Sequence, residues 1–359
     1  MSLIGIEEHW MLPELTSALK AASHPDESLL FNERGDAGER LEDLGAGRIA
    51  TMDAQGIDLA VLALTPPGTQ ALPAQEAVAL SRLANDTATE AVRAHPTRFR
   101  ALSTLPLSSP QHVAAELERA AAQGHVGTMV YGRSGDRFLD DPAYDDFFAT
   151  AAGLGQPVFI HPQIPSDALR DATYRGFDPM TDLGLATFGW GWHLEAATAA
   201  LRLILRGTFD RHPDLQIVLG HWGELLPFWL DRADSLARIA GLKRSISGYV
   251  RTNVFLTTSG MFNPALLQHA LTVTTTDRLI FSTDYPFQQP TRNEIDTFFG
   301  HLATDTDRHK VSSANAAALF GLTLPRPDRQ PGRGHSRNPD HTETRTSDKE
   351  RMRHVAAHH

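Results

Sequence analysis

"LIGIEEH" (residues 3–9) decides how the chain is read: an apolar, β-rich run that ends in two carboxylates and an imidazole. Runs of the same kind recur as "DLAVLAL" (58–64), "FRALSTL" (99–105), "VGTMVY" (126–131), "PVFIH" (157–161), "QIVLGH" (216–221), "NVFLTTS" (253–259) and "RLIFSTD" (278–284). Between them lie stretches with helical apolar spacing, at 39–56, 73–95, 110–124 and 194–212. Strands alternating with helices in this way are the signature of βα units around a parallel sheet. Eight of them fit an α/β fold, a TIM-like (β/α)8 barrel, which commonly takes ~250 residues plus insertions. A doubly wound open sheet is the alternative, but no strand here leads into a G-x-G-x-x-G turn or a P-loop.

Composition narrows the function classes. The 359 residues carry a formal charge of −10 and lack a basic run before the C-terminal stretch, which argues against a surface that tracks nucleic-acid phosphates. With no cysteine, disulfides, thiolate ligands and Cys nucleophiles are excluded, so any metal is held by His and carboxylates. "MSLIGIEEHW" has neither the basic start nor the apolar core of a secretory signal, and no apolar run approaches the roughly 20 residues of a membrane span. A cytoplasmic location without membrane contact is the expectation.

Two connections, 10–38 and 162–192, are too long for plain loops. Both follow strands, so in a barrel they stand on the C-terminal face where active sites are assembled. The second holds Tyr174, Phe177, Phe188, Trp190 and Trp192, a concentration of aromatics suited to a pocket wall or to packing against the barrel. The barrel is expected over 1–323. From 324 to 359 apolar periodicity gives way to Arg, Pro, Ser, Thr and His, and this tail is expected to be disordered.

Side chains alternate along a strand, so Glu7 and His9 share one side and Glu8 faces the other. Alone, "EEH" reads as a solvated strand end. The same chemistry returns, however, at His161 ("PVFIHPQ"), His221 ("IVLGHWGE") and Asp284 ("LIFSTDYPF"), each at the expected C-terminal end of a strand. Burying so many ionisable groups uncompensated would be costly, which favours a metal site. Glu7, His9, His161 and Asp284 make a mixed nitrogen and oxygen set suited to Zn2+ or Mn2+. Glu224, on the helix that "GHWGELLPFWLDRAD" is expected to open, lies within reach of the His221 ring. Arg232 further along faces either the strand ends or solvent, and is taken with Trp192 and Phe287 as a candidate substrate contact. No G-x-S-x-G or H-E-x-x-H occurs, so the chemistry rests on metal, His and carboxylate.

In this order, "EEH", "HPQ", "GHWGE" and "STDYPF" resemble the second amidohydrolase family, the group of metal-dependent non-oxidative decarboxylases. The resemblance spans about residues 3–322 and includes "RIATMDAQGIDLAVLALTPPGTQ" (48–70). Members that act on aminocarboxymuconate semialdehyde open with His-x-His. Resorcylate, dihydroxybenzoate and carboxyvanillate decarboxylases open with Glu-x-His, as Glu7 does here. The resemblance implies one divalent ion per chain, Mn2+ or Zn2+, on Glu7, His9, His161 and Asp284, with His221 and Glu224 as the catalytic relay and Glu8 as a bystander. It implies loss of CO2 from a small ortho-hydroxylated aromatic acid, with Asp284 as a proton-bearing general acid, and a homodimer or homotetramer. "HLEAATAALRLIL" departs from the expected pattern by carrying His193. The rival on the same scaffold is a mononuclear lactonase, amidohydrolase or hydratase; a metal pair bridged by a carbamylated lysine is disfavoured because "VGTMVY" and "PVFIH" have no Lys. A non-catalytic binding protein on a retained barrel is the remaining alternative.

Overall fold

Each expected strand is present, and the eight pair in parallel and in sequence order. The computed structural model describes residues 1–23 and 25–323, so the tail expected over 324–359 lies outside the described residues. The strands are β1 (Ile4–Trp10), β2 (Leu59–Leu64), β3 (Phe99–Thr104), β4 (Gly127–Tyr131), β5 (Val158–His161), β6 (Ile217–Leu219), β7 (Val254–Thr257) and β8 (Leu279–Ile280). β8 meets β1 through a parallel bridge between Glu8 and Tyr285, where the His9 N–H donates to the Tyr285 carbonyl at 2.7 Å. This closes the barrel.

The strands are buried on both faces, which is why "LAVLAL" reads as a continuous apolar run. Ile4, Ile6, Val61, Met129, Phe159 and Val218 belong to a smaller cluster inside the ring of strands. Leu62, Leu64, Val130, Ile160 and Leu219 belong to a larger cluster shared with the helices outside.

Two expectations are corrected. The eighth strand was expected to run to Asp284 but pairs only over Leu279–Ile280. Beyond it, side chains supplement the few remaining backbone bonds, such as the Gly260 N–H to the Ser282 carbonyl at 2.9 Å: the Glu7 N–H donates to Ser282 Oγ at 2.7 Å, and Thr283 donates to Glu8 Oε1 through its N–H (3.2 Å) and to Oε2 through its hydroxyl (2.6 Å). The helix expected over 39–56 is two helices, Ala37–Glu42 and Ala46–Gln55, because the Asp43 carboxylate accepts from the N–H groups of Gly45 and Arg48, both at 2.7 Å. The long connections carry short helices of their own, Pro13–Ala21 and Leu29–Asn32 in the first, Asp167–Thr173 and Pro179–Ala186 in the second. No helix of the described residues is long and apolar enough to cross a membrane.

Candidate metal centre

The four residues expected to bind metal converge at the C-terminal mouth of the barrel. A register shift between Gly5 and Glu8 bulges β1, a local device that re-aims side chains beside active sites. Glu7 and His9 both emerge fully buried on the inner side. His161 ends β5, and its Nε2 lies 3.4 Å from Glu7 Oε1. Asp284 follows β8 in the left-handed region (φ 63°), and its Oδ1 comes within 3.3 Å of His9 Nε2. The His9 and His161 rings stand edge to face with centroids 4.9 Å apart.

The residues fit a divalent ion. Glu7 Oε1 and His9 Nε2 are buried without a hydrogen-bond partner among the described residues, a costly state that a cation at their convergence relieves. Glu7 Oε2 is already taken by the hydroxyls of Thr257 (3.3 Å) and Ser259, which leaves Oε1 as the free ligand atom. The Nδ1–H of His161 faces the Pro162 carbonyl at 2.7 Å, a bond that reserves the Nε2 lone pair for the centre. Ligand atoms of Glu7, His9 and His161, and separately of Glu7, His221 and Asp284, lie within 4.8 Å of one another.

Glu224 reaches His221 as expected, but by a different backbone route. Residues 221–225 do not open a helix: His221, Trp222, Gly223, Glu224 and Leu225 all have positive φ, from 46° to 87°. Left-handed conformation costs roughly 1–2 kcal/mol per non-glycine residue, so this turn persists only because its surroundings hold it. The His221 N–H donates to Ser259 Oγ at 2.8 Å, and the Trp222 indole N–H to the Met261 carbonyl at 2.8 Å. The turn presents Glu224 Oε1 to His221 Nδ1 at 2.8 Å, while Oε2 is 2.6 Å from Nδ1 of His193. Burial opposes the charge on Glu224, but the His221 charge and the bonds from His193 and His221 together outweigh it and hold the carboxyl down at about 2. Burial likewise opposes a charged His221, and the facing Glu224 and Asp284 carboxylates raise it well above the usual imidazole range. Asp284 is also held at about 2, its contacts with His221 and His9 overcoming burial. Its Oδ2 lies 3.9 Å from His221 Nε2.

A cavity of about 880 Å3 opens over these groups. His9, His161, His221 and Asp284 line its floor, and Phe31, Phe188, Trp190, Trp192 and Phe287 its walls. Trp192 and Phe287 therefore both line the cavity over the ligand cluster. Of the other loop aromatics, Tyr174 is buried and Phe177 is exposed outside the cavity. The left-handed turn breaks the helix expected from His221 onward, and Arg232 sits exposed on the separate short helix Leu230–Ala233, where it does not line this cavity. Glu8 is a bystander to the ligand cluster, yet it is buried in the barrel seam rather than solvated, and burial pushes its carboxyl up to about 7 against the Thr283 hydrogen bonds and the Arg48 charge.

Three supporting groups escaped the sequence reading. His193 stood out there only as an oddity. Ser259 holds Glu7 and His221, and nothing in "LTTSG" signals it. Arg48, fully buried, donates to the His9 carbonyl at 2.6 Å and lies 4.7 Å from the centroid of the Tyr285 ring, so it braces the end of β1.

The sequence pattern of a family described as amidohydrolase matches residues 9–322. The chain is 36% identical over 337 residues to a gamma-resorcylate decarboxylase of a Polaromonas species, covering 89% of this chain and 98% of that protein. Among solved structures it is similar to 5-carboxyvanillate decarboxylase from Sphingomonas paucimobilis (TM-score 0.82, 32% identity, 90% of this chain and 99% of that one). It is also similar to a dihydroxybenzoic acid decarboxylase from Polaromonas with bound manganese and the inhibitor 2-nitroresorcinol (TM-score 0.77, 32% identity, 89% and 97%).

Proposed function

Since the chain belongs to the amidohydrolase family, we propose that it is a divalent-metal-dependent carboxy-lyase that removes CO2 from an ortho-hydroxylated aromatic acid and releases a phenol. One observation carries this reading: Asp284 stands between the ligand cluster and the His221–Glu224 pair, open to a cavity with aromatic walls. Mn2+ and Zn2+ both suit the two imidazoles and two carboxylates, and manganese is the ion bound in the Polaromonas relative.

The reaction consumes one proton per turnover. Direct loss of CO2 would strand an electron pair on an aryl carbon, so the proton adds first, using a π pair that an ortho oxygen helps to supply. Cleavage of the C–C bond then returns its electron pair to the ring and restores aromaticity as CO2 leaves. Glu7, His9, His161 and Asp284 would hold the divalent ion, which would supply Lewis-acid stabilisation of an anionic oxygen beside the reacting carbon. Asp284 is ionised in the resting site, so it acts as an acid only after receiving a proton, and the charged His221 imidazole is the neighbouring source. Glu224 holds that imidazole by its other nitrogen and stabilises its charge. The aromatic walls offer faces against which the ring packs.

The ionised Asp284 also supports a second reading, hydrolysis or hydration with that carboxylate as the base. One assay separates the two. Protein loaded with Mn2+ or Zn2+ is mixed with hydroxybenzoates that carry or lack an ortho hydroxyl, and CO2 is followed. Release from the ortho-hydroxylated acids alone is the expected result. Bound metal with no CO2 from any of them overturns the decarboxylase reading in favour of the second.

A further inference from the structure

We propose that His193 is a positioning residue: it holds the second oxygen of Glu224 so that the first stays aimed at His221, and it ties that carboxylate to the aromatic wall of the cavity. The proposal rests on the relay role read above for His221 and Glu224. His193 comes from the start of the helix Gly191–Leu205, after the long connection that follows β5, whereas its partner lies in the left-handed turn after β6. The two segments meet at one fully buried carboxylate, with Glu224 Oε1 2.8 Å from His221 Nδ1 and Oε2 2.6 Å from His193 Nδ1. The two rings stand 4.7 Å apart at 66°.

A glutamate's last torsion is broad, so a carboxylate bonded through one oxygen swivels, and one bonded through both does not. The Nδ1 of His193 must carry hydrogen to donate to Glu224. In the neutral ring Nε2 is then an acceptor, and the Trp192 indole N–H lies 3.1 Å from it. In the doubly protonated ring Nε2 donates instead to the Phe188 carbonyl, 3.0 Å away. In either state His193 is bonded to the segment that builds the cavity wall. Packing of a ring against Trp192 and the aim of Glu224 are thereby mechanically linked.

The test uses the full chain loaded with diamagnetic Zn2+ and carrying 15N-labelled histidine. His193→Phe keeps a ring but removes both nitrogens; His193→Gln, whose amide reaches toward the Nε2 position, is a second variant without the Glu224 donor. His193→Asn places an amide N–H near the Nδ1 position. Loss of the donor is expected to lower kcat by ~10–100-fold, the usual cost of removing a partner that orients a ligand or relay group, with KM little changed. His193→Asn is expected to recover most of that loss. Independently of turnover, the His221 Nδ1–H proton resonance shifts or broadens in the Phe and Gln variants and returns in His193→Asn. A His221 resonance unmoved in both loss variants, or an Asn variant that behaves like them, overturns the proposal. If the wild type releases no CO2, the decarboxylase reading fails and the resonance alone decides the role of His193.

Discussion

Replacing Asp284 with Asn separates the chemistry of this carboxylate from its place in the fold. The residue sits at φ 63°, where a side chain with a Cβ is ordinarily strained, and Asn is one of the few residues that tolerates this region. Asp284→Ala would add backbone strain of about 1 kcal/mol, whereas Asn keeps both shape and backbone preference. Asn also retains one carbonyl oxygen toward His9 and the ligand cluster, so metal content is expected to remain near one ion per chain, at weaker affinity. What Asn cannot do is accept a proton and pass it to a ring carbon, the role proposed for Asp284. Positioned general acids contribute ~10²–10⁴ in rate, and at about 1.4 kcal/mol per decade the barrier rises by roughly 3–5 kcal/mol. The assay is CO2 release under saturating substrate, with metal measured by elemental analysis and the unfolding midpoint on the same preparation. The expected result is a fall in kcat of at least ~100-fold with a midpoint within about 3 °C of wild type. A variant that keeps metal and more than about a tenth of wild-type kcat refutes the acid role.

Two further outcomes test the supports of the site. Glu8→Gln is expected to keep metal and activity near wild type, because its amide can accept from the Thr283 N–H and donate to the Thr283 hydroxyl; Glu8→Leu leaves that buried N–H unpaired and costs about 1–3 kcal/mol in denaturant unfolding. Loss of metal in Glu8→Gln would mean that the wrong carboxylate of "EEH" had been assigned to the ion. Gly223→Ala combines a φ of 87° with a Cβ that would meet Pro227 at 2.7 Å and Leu256 at 2.9 Å, so a loss of more than about 1 kcal/mol is expected together with lower kcat as His221 and Glu224 shift. Unchanged urea stability would show that the left-handed turn is not held as described.

What the chain declares locally, it declares well. The two-residue period of "LIGIEEH" places Glu7 and His9 together and Glu8 apart, and the structure keeps that division through the bulge in β1. Apolar runs that end in His161 and precede Asp284 mark the end of the barrel where the ligands meet, because strand direction and side-chain alternation follow from backbone geometry alone. The rest depended on segments far apart in the chain. "GHWGE" looks like a helix start and is a left-handed turn, since bonds to Ser259 and Met261 outweigh the local preference. That turn brings Glu224 to His193, 31 residues earlier. Glu8 became the seam of the barrel only once β8 arrived beside β1. Periodicity records which face of an element is buried; which buried polar groups become partners is set by closure of the barrel and packing of its long connections, and no local pattern encodes that.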